Sequence, residues 1–117
     1  MKRLLKVFVL AGVMAFALAA ADKDASAEPV LTSYYGPGFD GNLTASGEVF
    51  NQWDYTAAHP SLPFGTLLQV CYAECVTVRV NDRGPYIHGR GLDLSQGSAQ
   101  AIGLTAAGVD WVDVQVV

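Results

Sequence analysis

Positive charge is scarce in this chain. Beyond residue 27 there is no lysine, and Arg79, Arg83 and Arg90 stand against nine aspartates and glutamates, a formal charge near −6. A surface of that sign repels phosphate backbones, which excludes nucleic acid and other anionic polymers as electrostatic partners. Histidine is limited to His59 and His88, and cysteine to Cys71 and Cys75. Two cysteines four residues apart with no clustered histidines fall short of a four-ligand zinc site, so no metal is expected. The one long apolar run, Val7 to Ala21, is about 15 residues, short of the ~20 that span a bilayer. After residue 28 there is no repeat, linker or low-complexity segment, and about 90 residues hold one domain with one modest core.

Lys2, Arg3 and Lys6 precede the apolar run, and small residues follow at Ala17-Leu18-Ala19, Ala19-Ala20-Ala21 and Ala25-Ser26-Ala27. This is the pattern of a secretory signal peptide over residues 1–27, cut somewhere between 19 and 27, with an uncleaved anchor as the competing reading. No cysteine lies near the cut, so there is no site for lipid attachment. The expectation is an exported monomeric domain over residues 28–117, periplasmic, secreted or in the wall, with no stable membrane anchor after cleavage. In that setting Cys71 and Cys75, flanking Tyr72-Ala73-Glu74 between two strand-like runs, read as a disulfide across a hairpin loop. A zinc ligand pair and a redox dithiol are the competing readings, and both lack the usual spacing.

Short strands joined by glycine- and proline-marked turns dominate the rest. Val30–Tyr35 is expected as the first strand, ended by Gly36-Pro37-Gly38, with a loop over Phe39–Gly47. Thr66–Cys71 and Cys75–Val80 should form a hairpin. Val112, Val114 and Val116 alternate with polar residues in a closing strand, where Trp111 is expected to join the core. Ser95 can cap a helix over Gln96 to Ile102 that Gly103 ends. That strand count favours a small closed barrel, which leaves no sheet edge to protect.

The chemistry concentrates in Val80-Asn81-Asp82-Arg83-Gly84-Pro85-Tyr86, which runs on to Leu92-Asp93-Leu94-Ser95 and sets an aspartate at each end of one loop. In Leu92-Asp93-Leu94 an extended backbone puts both leucines on one face and the carboxylate on the other. If the leucines fill the barrel, Asp93 lines an outer groove, where apolar neighbours raise its pKa toward that of a general acid. The bland alternatives are a helix cap or a pair with Arg83 or Arg90. Asp82 could equally serve a turn, and Glu48 and His59 could each be an ordinary polar loop residue. Two carboxylates in unlike surroundings are the minimum for cleaving a glycosidic bond.

Six segments, Tyr34-Tyr35-Gly36, Leu43-Thr44-Ala45-Ser46-Gly47-Glu48, Thr56-Ala57-Ala58-His59-Pro60, Leu62-Pro63-Phe64-Gly65-Thr66, Val78 to Pro85 and Leu92 to Ser95, follow the order and spacing of the rare lipoprotein A family. The resemblance covers residues 30–116. It implies an all-β six-stranded double-psi β-barrel with one or two short helices, similar to the barrels of expansins and family 45 glycoside hydrolases. It implies a lytic transglycosylase that cuts peptidoglycan glycan strands between MurNAc and GlcNAc to leave 1,6-anhydro ends, with no metal or organic cofactor. By the same resemblance Asp93 is the acid/base and Asp82, Glu48 and His59 complete the catalytic set, while Tyr35, Tyr86, Thr44, Asn81 and Arg83 are expected to contact substrate. One departure is Asn51, where active members often carry an aspartate. Another is the wall-binding repeat domain of many relatives, not present in this sequence, so glycan binding is expected from the barrel itself. Tyr34, Tyr35, Trp53, Tyr55 and Tyr86 offer flat rings for sugars, with Tyr86 best placed inside the 82–93 loop. The competing function is an expansin-like module that binds and loosens wall polysaccharide without cutting it; a third is an inert binding domain of the barwin type.

Overall fold

The structure, a computed structural model, describes residues 27–117; the signal peptide expected over residues 1–27 lies outside them except for Ala27. Six strands and one helix follow in order: β1 (Glu28–Tyr35), β2 (Thr56–Ala58), β3 (Leu67–Cys71), β4 (Cys75–Asp82), β5 (Leu92–Ser95), α1 (Gln96–Ile102) and β6 (Asp110–Val116). The strands close into a barrel in the order β1-β5-β2-β4-β3-β6. β1 with β5 and β2 with β4 run parallel, and the other four seams are antiparallel. This mixed closed barrel is the double-psi fold.

Period-two alternation fills the barrel. Val78 and Val80 of β4, Leu68 and Val70 of β3, Leu92 and Leu94 of β5 and Val112 of β6 all point inward and are fully buried. Ala99 and Ile102 of the helix and Leu104 after it join the same cluster. Ser95 caps the helix by accepting from the Ser98 N–H, and Gly103 ends it in the left-handed conformation that a side chain would strain. The alternation that buries Val112 turns Trp111 outward, so the expected core tryptophan is instead 60% exposed on the wall of β6.

β2 carries no strand signal of its own, since three residues are too short for periodicity to show. It exists because β4 and β5 pair with it on either side. Its register with β4 shifts between Ala57 and Ala58, which face Val80 and Asp82, leaving Asn81 as the extra residue of a bulge. Under strict alternation, with no bulge, Asp82 would follow Val78 and Val80 into the core. The bulge brings its carboxylate to the outer surface.

Cys71 and Cys75 form a disulfide at the end of the β3–β4 hairpin. The Ala73 and Glu74 N–H groups donate to Ile102 O at 3.0 and 3.3 Å, so the hairpin tip also closes the end of α1. Closing so short a loop contributes roughly 2 kcal/mol through chain entropy. Reduction should therefore lower unfolding stability by about that amount and leave activity in place, since the tip keeps its hydrogen bonds to the helix. Urea unfolding of oxidised and reduced, alkylated protein measures it; a loss of more than about 4 kcal/mol would make the bridge a determinant of the fold.

Candidate active site

Ala58 is the centre of the site. It pairs with Asp82 of β4 on one side and with Asp93 of β5 on the other, so the two acids flank one small residue across three neighbouring strands. Strand spacing puts their backbones roughly 10 Å apart, with the alanine methyl between them leaving room for a ligand. Both acids line one groove of about 300 Å³, whose walls also include Tyr35, Phe39, Arg83, Tyr86 and Ile87.

The two carboxylates differ in surroundings. Asp93 stands between the buried Leu92 and Leu94, and its Oδ1 accepts from the Ser33 hydroxyl at 3.0 Å. Burial pushes its carboxyl above the ordinary range, outweighing the downward pull of the Ser33 hydrogen bond and the Arg90 charge, and Asp82 adds a smaller upward push. It neither caps α1, where Ser95 does so, nor forms an ion pair with an arginine; Arg79–Glu48 is the ion pair among the described residues. Asp82 accepts three hydrogen bonds. The Ala45 and Arg83 N–H groups donate to Oδ1, both at 2.9 Å, and the Tyr35 hydroxyl donates to Oδ2 at 3.1 Å.

β1 serves both acids. Ser33 and Tyr35 lie two apart on one strand face, and the parallel register sets Ser33 opposite Asp93. The Tyr35 ring stacks on Phe50 at 4.8 Å and meets Phe39 edge-on, which fixes its hydroxyl toward Asp82. Burial, then the Asp82 charge and hydrogen bond, hold the Tyr35 phenol well above its usual range, so it remains a donor.

Other expected site residues are placed differently. Glu48 lies outside the groove lining, held by Arg79 Nη1 and Nη2 at 2.8 and 2.7 Å and by Asn81 Nδ2 at 3.1 Å. The Arg79 hydrogen bonds keep its carboxyl below the ordinary range. Thr44 and Asn81, expected to touch substrate, are only 7% and 2% exposed. The 44–48 turn covers both: Thr44 Oγ1 bonds Ser46 Oγ, and Asn81 bonds Glu48. His59 Nδ1 accepts from the Ser61 and Leu62 N–H groups at 3.0 Å each, which needs that nitrogen unprotonated. Burial, then the Arg83 charge, depress its pKa, so the ring braces the 59–62 turn in its neutral form. The Arg83 guanidinium sits 4.0 Å over the Phe64 ring while the residue still lines the groove. Tyr86 stands 84% exposed on the groove rim. Asn51, the departure from the family pattern, accepts the Trp53 N–H in a local turn. Ser33 and Ala58 escaped the sequence reading, although the period-two relation of Ser33 to Tyr35 is a signal for the first.

A closed barrel of this topology with an acid-lined groove defines the class as a double-psi β-barrel. The chain belongs to the lytic transglycolase family, whose model matches residues 27–116. It is 51% identical over 90 residues to a probable endolytic peptidoglycan transglycosylase RlpA of Synechocystis sp., covering 74% of this chain and 28% of that protein. It is 47% identical over 90 residues to the endolytic peptidoglycan transglycosylase RlpA of Campylobacter jejuni, covering 74% and 33%. The chain thus spans about a third or less of the length of these relatives. Among solved structures, the Streptomyces papain inhibitor superposes with a TM-score of 0.65 at 20% identity, over 79% of this chain and 94% of that one. A Clavibacter michiganensis expansin superposes with a TM-score of 0.64 at 24% identity, over 78% and 50%, and both likenesses show the fold.

Proposed function

We propose that this protein is a peptidoglycan lytic transglycosylase that cuts glycan strands between MurNAc and GlcNAc. The observation that carries the reading is the pair of unlike acids flanking Ala58: a buried Asp93 that keeps its proton to higher pH, and an Asp82 supplied with three hydrogen-bond donors. The names of the relatives support the same reaction. The protonated Asp93 donates to the glycosidic oxygen as the C–O bond breaks. The sugar's own 6-hydroxyl then attacks the anomeric carbon and gives its proton to the Asp93 carboxylate, which restores the acid and leaves a 1,6-anhydro end. Asp82 stabilises positive charge that develops at the sugar ring. Tyr86 offers a ring face to a saccharide, Arg83 and Tyr35 shape the groove, and Glu48 and His59 hold its walls. A wall substrate places the barrel outside the cytoplasmic membrane, and the reading includes an exported, unlipidated monomer that needs no cofactor.

Mass spectrometry of purified glycan strands after incubation tests the reaction. Anhydro-ended products support it, reducing ends would make the protein a hydrolase, and unchanged strands that pellet with the protein would make it an expansin-like binder.

The pH dependence gives a second check. If the proton on Asp93 is required, activity falls as pH rises through its apparent pKa. Asp82→Asn removes a neighbouring negative charge that disfavours ionisation, so the alkaline limb should move to lower pH. Ser33→Ala removes a donor to the ionised form, so the limb should move to higher pH. Shifts of the same sign in both variants would refute the assignment.

A further inference from the structure

We infer that Arg79 is a positioning residue: through Glu48 it clamps the turn at residues 44–47 so that the Ala45 N–H stays on the Asp82 carboxylate. Its activity arm rests on the cleavage reading above; its structural arm does not.

The turn has little to hold it by packing. Within 43–49 only Thr44 is buried, and Leu43, Ala45, Ser46, Gly47 and Val49 are exposed. It is closed internally by the Gly47 N–H to Thr44 O at 2.9 Å and the Thr44 N–H to Glu48 O at 2.8 Å, with Gly47 at a φ of 88° that suits glycine. Polar links carry it onto the end of β4. The Ser46 N–H donates to Asn81 O at 3.2 Å, the Ala45 N–H donates to Asp82 Oδ1 at 2.9 Å, and Glu48 takes both Arg79 terminal nitrogens.

Arg79 is well placed to lock these links. It sits on the outer face of β4 between the inward Val78 and Val80, just ahead of the bulge that re-aims Asp82. A guanidinium meeting a carboxylate through two parallel hydrogen bonds fixes orientation as well as distance, which a lysine cannot do. Glu48 is the natural link, because Asn81 Nδ2 reaches the same Oε1 that Arg79 Nη1 holds. A glutamate kept ionised by this pair, outside the groove lining, shapes the site without exchanging protons with substrate.

Four variants and two readouts test the clamp. Arg79→Ala and Glu48→Ala should each lower kcat at least about tenfold with little change in KM, since a misplaced catalytic wall costs that order. Residues acting as one unit are non-additive, so Arg79→Ala/Glu48→Ala should fall within about twofold of the slower single variant. Glu48→Gln keeps an acceptor oxygen for Arg79 and should retain at least about a third of turnover. In amide exchange by NMR, the Ala45 N–H should exchange at least about tenfold faster in Arg79→Ala than in the unmodified chain, while the Val80 N–H of the barrel is unchanged. Unaltered Ala45 exchange overturns the clamp whatever the activity. So does a Glu48→Gln variant as slow as Glu48→Ala, which would give the carboxylate chemistry of its own. If the unmodified chain does not cut glycan, the cleavage reading fails and the Ala45 exchange alone decides the clamp.

Discussion

Asp93→Asn should give a folded protein that cleaves glycan at least about a hundredfold more slowly, the low end for loss of a general acid–base group. The substitution is nearly isosteric, and an amide oxygen can still accept the Ser33 hydroxyl bond that Asp93 Oδ1 now takes at 3.0 Å. Leu92 and Leu94 on either side keep their places in the core, so the strand has no reason to move. What disappears is the titrating proton. The fold is checked by an unchanged urea midpoint, and turnover by the yield of anhydro ends. A folded Asp93→Asn variant with more than about a tenth of the original turnover would show that Asp93 is not the acid. The contrast with Asp82→Asn is informative, because an amide oxygen there can keep the Ala45 and Arg83 N–H bonds while an NH2 group replaces the oxygen that accepts from Tyr35, so the change should alter the pH profile and disturb the Tyr35 contact.

Those elements that state their own period were legible in the sequence. The Leu-Asp-Leu alternation of β5, the β3–β4 hairpin with its cysteines, and Ser95 and Gly103 at the ends of α1 all carry local signals that the structure follows. β2 was not legible, because three residues cannot show a period and its existence depends on partners 23 or more residues away in sequence, counting from Thr56 to Arg79 and from Ala57 to Val80. Trp111 was misplaced by its chemistry: a large aromatic in an alternating strand was assigned to the core, but its neighbour Val112 holds the inward phase. Around the site the resemblance names segments, but not which neighbour each of their polar residues faces. Thr44, Asn81 and Glu48 belong to the matching motifs, yet the first two are covered and the third is spent on Arg79. Which polar residue faces a groove and which faces a neighbouring loop is decided by the bulge at Asn81 and the fold-back of the 44–48 turn. Neither leaves a periodic trace.

Leu94→Ala should cost about 2–5 kcal/mol of stability, enough to threaten a small domain whose whole margin is of order 5–15 kcal/mol. Leu94 is fully buried, pairs with Ala57 of β2 across the antiparallel seam, and packs in the cluster that joins the barrel to the helix. Its removal leaves a cavity that the closed barrel cannot collapse around, because every flanking strand is pinned by two neighbours. Trp111→Ala is the matched control. It deletes a larger side chain, but one on the outer wall of β6 and 60% exposed, so the expected cost is within about 0.5 kcal/mol. Urea unfolding of both variants, with the slope of the transition held constant, reads the difference directly. A Leu94→Ala variant within about 1 kcal/mol of the parent, or a Trp111→Ala variant that costs more than Leu94→Ala, would mean that the in-and-out phase of β5 and β6 is wrong. Since that phase is what turns Asp93 away from the core, the carboxylate would then lose its place in the groove.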